Sequence, residues 1–312
     1  MSDTTTNSAR TTRSSLTNEP MLSVEDLRVQ FQTDRGDFKA VDGVSFTLNK
    51  GERFGLVGES GSGKSTTALA IMRMIKPPGR ITTGRILLHR AEGNIDMATL
   101  TDEQIRQMRL SNVSMIPQGS MNSLNPVRRV RDHFEDSILA HRENASKSEI
   151  DARMVELLAM VGLPPTAGKL YPHELSGGMK QRVCIALAIT LEPNVIIADE
   201  PTSALDVVVQ RRVMETLGYV QDQIGASVLF VGHDMGLLAQ FVDRVGVMYR
   251  GKLVEVDTIQ NIFTAPKHPY TQMLISSLPT LSERGAFRKA RSASDPAIAS
   301  ISTTPNTATS QS

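Results

Sequence analysis

Four residues of strand character, Phe54-Gly-Leu-Val57, run without a break into Gly58, Glu59, Ser60, Gly61, Ser62, Gly63, Lys64, Ser65 and Thr66. No other stretch restricts the fold as much. The apolar run reads as a short buried strand, and Ser65 to Ile75 reads as a helix ended by Pro77-Pro-Gly79. Strand, glycine loop and helix in that order, with Lys-Ser following the last glycine, form a cradle for phosphate groups. Glycines let backbone N–H groups turn inward where a side chain would clash. The helix N-terminus adds its positive end. In such a cradle Lys64 reaches the β- and γ-phosphates of a nucleotide, and the Ser65 hydroxyl ligates Mg²⁺.

The rest of the chain alternates strands with helices. Leu22 and Val24, then Leu27, Val29 and Phe31, alternate as half-buried strands do, and Val41 to Leu48 continues the strand signal. Arg85 to Leu88 suggests another strand, and from about Leu100 to Leu170 the pattern turns helical. Gly177 opens a helix, Val195 to Ala198 is a buried strand, Val207 to Ile224 a helix and Ser227 to Val231 another buried strand. Arg244 to Val256, broken at Arg250-Gly251, reads as a closing hairpin. Continuous apolar strands between helices indicate an α/β fold whose sheet is mostly parallel and covered on both faces.

Composition removes several classes of function. The net charge is +1, Trp is absent and aromatics are 4 %, so nothing favours nucleic acid as a ligand. The single Cys184 sits in an apolar run and reads as a buried structural thiol, with no internal disulfide or Cys-built cluster available. No apolar run approaches the ~20 residues of a membrane span, and Met1 to Arg13 lack a signal-peptide core. The expectation is therefore a cytoplasmic protein whose membrane role comes through a partner.

Two further motifs complete a pattern. Leu175-Ser-Gly-Gly-Met-Lys-Gln-Arg182 contains Ser176, Gly177 and Gly178, and Val195-Ile-Ile-Ala-Asp-Glu200 ends in Asp199 and Glu200. With the glycine loop upstream, this order resembles the ATPase subunits of ABC transporters. The resemblance covers roughly residues 21–280. It implies a P-loop NTPase (RecA-like) core with an antiparallel β subdomain and a helical signature subdomain at about residues 100–175. The ATPase domain would span 21–256, a C-terminal extension 257–283, and disordered tails 1–20 and 284–312.

The same resemblance assigns roles residue by residue. Asp199 matches the acid that holds Mg²⁺ through water, and Glu200 the catalytic base that polarises the attacking water. Gln118, in Met115-Ile-Pro-Gln118, matches the glutamine that senses Mg²⁺ and the γ-phosphate. His233 matches the switch histidine of the γ-phosphate, and Asp206 the acid that crosses a dimer interface. Ser176, Gly177 and Gly178 match the signature that closes over ATP held by another subunit. ATP and Mg²⁺ are thus the implied cofactors. The adenine would stack on Phe31 or Phe38, with Arg35 as a third candidate surface.

Tyr171-Pro-His-Glu174 and His268-Pro-Tyr-Thr271 resemble the dipeptide and oligopeptide importer branch. That branch implies transmembrane permease subunits, a second ATPase subunit in a homo- or heterodimer, and a substrate-binding protein acting indirectly. Its other cargoes are nickel, opines and oligosaccharides. Soluble members acting on ribosomes or DNA, and a non-hydrolysing regulatory module, are the competing readings. Met121 and Leu124, in the loop from Gln118 to Pro126, are the expected contacts for a permease helix.

Overall fold

The computed structural model describes residues 17–278, apart from positions 35, 120, 121 and 204. The expected tails lie almost wholly outside these residues, and Arg35 and Met121 lie outside them too.

Two sheets organise the chain. The first is antiparallel, in the order β2-β1-β4-β5, from β1 (Pro20–Thr33), β2 (Gly36–Asn49), β4 (Gly79–Leu88) and β5 (Ile95–Asp96). The two alternations in residues 22–31 belong to one strand. A shift in pairing between Val24 and Leu27 separates them, as a bulge does.

The second sheet has six strands. Its members are β3 (Arg53–Val57), β6 (Val113–Ile116), β7 (Val195–Asp199), β8 (Ser227–Gly232), β9 (Arg244–Tyr249) and β10 (Lys252–Thr258). The order is β10-β9-β3-β8-β7-β6, parallel throughout except for the antiparallel β9–β10 hairpin. The core strands are apolar at most positions because each feeds two cores, with Ser114, Asp199 and Ser227 as buried polar exceptions. Phe54, Leu56, Val195, Ile197, Leu229 and Val231 face one core, shared with α1 (Lys64–Ile71) and the antiparallel sheet. Val57, Ile196, Ala198, Val228 and Phe230 face the other. That second core is closed by α3 (Val130–Leu139), α4 (Lys147–Met160), α5 (Gly177–Ala188) and α6 (Val207–Ile224).

One strand interrupts the region from about Leu100 to Leu170 that was expected to be helical. After α2 (Asp102–Met108), the chain enters β6, whose residues pair in register with β7 from Val113↔Val195 to Ile116↔Ala198. Residues 113–116 therefore belong to the parallel core and not to the helical subdomain. Helix α1 also ends at Ile71, four residues before the expected Ile75. The last elements are α7 (Met235–Leu238), α8 (Ile259–Thr264) and α9 (Pro269–Ser276).

Candidate functional site

The glycine loop leaves the C-terminal end of β3, a central strand, and enters α1. Gly58 has φ 150°, and a Cβ there would stand 2.2 Å from the Met248 carbonyl oxygen of β9. Gly63, the residue before α1, has φ 103°, and its Cβ would meet the Ala40 carbonyl at 2.4 Å. Neither position admits another residue without moving backbone. No side chain caps α1 at its start. The first N–H groups of the helix thus remain for a ligand.

Lys64 lies within this loop, its side chain almost fully buried. Its Nζ donates to the carbonyls of Gly58 (2.8 Å) and Glu59 (2.7 Å) and to Ser62 Oγ (3.3 Å). Burial pushes the ammonium below its ordinary range, while Glu200, Asp199 and Glu59 oppose that shift by attraction. Ser65 Oγ donates to Asp199 Oδ1 at 3.0 Å. Asp199, at the end of β7, is 3 % exposed, and burial pushes its carboxyl above the ordinary range. Glu59, Ser60 and Gly61 lie on the exposed rim of the loop, and Thr66 is half-buried in α1.

Glu200 follows β7 in a left-handed conformation, φ 44°, which a glutamate seldom adopts. Its backbone is held there at both ends. The N–H donates to Val231 O at 2.8 Å, and the carbonyl accepts from Ser203 N (3.1 Å) and Ser203 Oγ (3.0 Å). This conformation turns the side chain between two others. Gln118 Nε2 donates to Glu200 Oε2 at 2.8 Å, and His233 Nδ1 meets Oε1 at 3.0 Å. One carboxylate thus gathers the ends of β6, β7 and β8, the three strands that carry Gln118, Glu200 and His233. Ser203 went unnoticed in the sequence, although it lies in the Pro201-Thr-Ser203 segment beside the base.

The second constellation lies elsewhere. Ser176 caps α5, its Oγ accepting from Met179 N at 3.3 Å, and Ser176 and Gly177 are exposed. Asp206 caps α6, Oδ1 accepting from Val208 N (3.1 Å) and Val209 N (3.0 Å). The two helix starts are in contact, since a Cβ on Gly178 would lie 2.8 Å from Val209 Cγ1. An open cleft of about 960 Å³ is lined by Ser176, Gly177, Gly178, Asp206, Arg182 and Arg212, among others, and by no residue of the glycine loop. Val207 and Val208 beside it are 79 % and 63 % exposed.

Two expectations need adjustment. Leu124 is 4 % exposed and belongs to the core closed by α3 to α6, so it is not a surface contact for a permease helix. In the same loop Val127 is 78 % exposed. Of the adenine candidates, Phe31 and Phe38 face each other as cross-strand partners on β1 and β2, Phe31 partly packed and Phe38 58 % exposed.

A parallel sheet with a Gly-Lys-Ser loop at one strand end and an Asp-Glu pair at the end of the next strand but one defines a P-loop nucleotide hydrolase. Comparison with known proteins narrows the class. Residues 41–203 match the ABC transporter family, and residues 254–303 match the oligopeptide/dipeptide transporter C-terminal region. The chain is 44 % identical over 271 residues to the dipeptide transport ATP-binding protein DppD of Bacillus subtilis, covering 86 % of this chain and 79 % of that one. It is also 44 % identical to the oligopeptide transport ATP-binding protein OppD of the same organism, over 85 % of this chain and 74 % of that one. Among solved structures, the dimeric structure of MJ0796, a bacterial ABC transporter cassette, superposes with a TM-score of 0.67 at 27 % identity. That match covers 77 % of this chain and 99 % of the cassette. The chain belongs to the ABC transporter ATP-binding family and is an ATPase of that family. Among the described residues no helix is long and apolar enough to cross a membrane.

Proposed function

We propose that this chain hydrolyses ATP to drive the import of peptides. It would act as a peripheral subunit on the cytoplasmic side of the cell membrane, docked on transmembrane permease subunits and paired with a second ATPase subunit. The observation that carries the hydrolytic reading is the Glu200 carboxylate held between Gln118 and His233. Peptide cargo is supported by the C-terminal match and by the names of the relatives. A substrate-binding protein would deliver cargo to the permease without touching this chain.

The residues divide the chemistry among them. The N–H groups of the glycine loop and α1, with Lys64, bind the β- and γ-phosphates. Ser65, Gln118 and Asp199 offer a hydroxyl, an amide oxygen and a carboxylate, the hard oxygen set that suits Mg²⁺, with Asp199 acting through water. The ion, when bound with the nucleotide, neutralises charge on the phosphates. Glu200 accepts a proton from the attacking water at a carboxylate oxygen. His233 orients that carboxylate through Nδ1. While Nδ1–H serves Glu200, Nε2 can donate to a γ-phosphate oxygen only from the doubly protonated ring.

Ser176, Gly177 and Gly178 add a second anion site on a separate face. A chain that already carries its own phosphate loop offers this site most economically to the γ-phosphate of its partner, with Asp206 beside it at the interface.

The test is uptake by cells that lack this chain. Uptake of labelled dipeptides and oligopeptides should fall to background and return with the wild-type chain. Unchanged peptide uptake, with loss of nickel, opine or oligosaccharide uptake instead, would replace the cargo and leave the ATPase assignment standing.

A further inference from the structure

Gly58 and Glu59 share one peptide group, and both of its polar atoms are engaged. The Gly58 carbonyl accepts from Lys64 Nζ at 2.8 Å. The Glu59 N–H donates to the Tyr270 hydroxyl at 3.1 Å. Tyr270 stands in the first turn of α9, 211 positions along the chain from Glu59. It comes from the C-terminal extension, outside the part of the chain that matches the ABC transporter family.

Tyr270 is held in place from several sides. Its side chain is 6 % exposed, and its ring packs on Tyr249 of β9 with centroids 4.2 Å apart. The start of α9 is fastened to β10, because the Glu255 carboxylate accepts from the backbone N–H of Lys267 (2.8 Å) and of His268 (2.9 Å). His268 Nδ1 then accepts from Tyr270 N at 3.2 Å and caps the helix, with Pro269 following as its first residue. Burial pushes the phenol above its ordinary range, so near neutral pH it stays a neutral hydroxyl.

We infer that Tyr270 is a positioning residue for the phosphate loop, holding the Gly58–Glu59 peptide in its nucleotide-binding orientation. Lys64 holds the other end of the same peptide. Its three N–H donors are shared among Gly58 O, Glu59 O and Ser62 Oγ, so turning donors to phosphates weakens its hold on the loop backbone, the Gly58 carbonyl included. The bond from Glu59 N–H to Tyr270 then sets the plane of the peptide. The hydroxyl does not touch the nucleotide and acts only through the loop backbone. The inference concerns ATP binding, which family membership supplies, and holds for any cargo.

Tyr270→Phe removes the hydroxyl and keeps the ring on Tyr249. In the full chain, with ATP and Mg²⁺, the Kd for ATP should rise by about two- to tenfold, the span of one net hydrogen bond. Amide hydrogen exchange supplies a readout that mere support of α9 would not move. Exchange at Glu59 should quicken while the amides of α9 keep their protection. An unchanged Kd in the folded variant overturns the inference. So does loss of protection along α9, which would reduce the hydroxyl to a prop for that helix. The wild-type chain gives an independent check: a Glu59 amide that exchanges as freely as an exposed loop overturns it without any variant.

Discussion

Replacing Glu200 with glutamine separates the chemistry of the site from its architecture. The carboxylate accepts two hydrogen bonds, from Gln118 at 2.8 Å and with His233 at 3.0 Å. Glutamine has nearly the same shape. Its carbonyl oxygen keeps the bond from Gln118, and its NH₂ faces His233, whose ring can turn a bare Nδ1 towards it by changing tautomer. Both contacts can therefore survive, and stability should shift by no more than about 1 kcal/mol. The proton acceptor does not survive. Loss of a general base slows turnover by about 10²–10⁴-fold, which is about 2.7–5.5 kcal/mol on the barrier. Lys64 and the loop are untouched, so ATP affinity should stay within about threefold of wild type, less than about 0.7 kcal/mol. ATP bound and not hydrolysed should trap two chains together. Size-exclusion chromatography with light scattering would show an ATP-dependent dimer of Glu200→Gln. Adding Ser176→Arg to the same chain should abolish that dimer and leave ATP binding intact, because the signature cleft is separate from the phosphate loop. Hydrolysis within about tenfold of wild type would refute the role of Glu200, being short of the smallest loss expected for a general base. A double variant that still dimerises would refute the trans site.

Three more perturbations follow from burial and exposure. Asp199 has a folded-state pKa above its unfolded one, so its contribution to stability is present below the ordinary carboxylate range and is lost as pH rises through the raised value. Asp199→Asn should therefore raise the thermal midpoint near pH 8, by a margin that shrinks as pH falls towards 4, while hydrolysis is lost; calorimetry across that range checks the sign, and a lower midpoint at pH 8 would refute it. In the loop after β6, Leu124→Asp should cost about 3–5 kcal/mol, as loss of a buried leucine with a carboxylate in its place does. Val127→Asp should leave the melting midpoint near wild type but reduce co-purification with the permease subunits, and the reverse pattern would exchange their roles.

Most of the parallel core was legible because strands β3, β7 and β8 are dominated by apolar residues and the motifs stand at their ends. Residues 195–198 and 227–231 needed no tertiary information to be read. Strand β6 was not legible. It is four residues long, carries Ser114 in its middle and follows Ile105 and Met108 at helical spacing, so only its partner β7 identifies it. Leu124 misled for a related reason. An aliphatic residue in a loop has no periodicity to say which way it faces. The candidate site was legible as a set of residues, yet the geometry that joins them was not. That Glu200 bonds both Gln118 and His233 depends on three strand ends and a positive φ. Tyr270 was visible only as part of a branch marker, because its contact with Glu59 spans most of the domain.

The tight backing of the glycine loop has a consequence for substrate choice. With the Met248 and Ala40 carbonyls 2.2 and 2.4 Å from where the Cβ atoms of Gly58 and Gly63 would be, the two ends of the loop are backed closely by other backbone. Its lining is backbone amide, which registers where phosphate oxygens lie and is blind to the base attached to them. A cradle of backbone amides responds to phosphate charge and itself makes no distinction between adenine and guanine. Any preference between purines would then originate outside the cradle, at whichever of the candidate surfaces Phe31, Arg35 or Phe38 meets the base. Aromatic stacking there is tolerant, since every base offers a π-face. The expectation for such a loop is strong discrimination by phosphate number and weak discrimination by base.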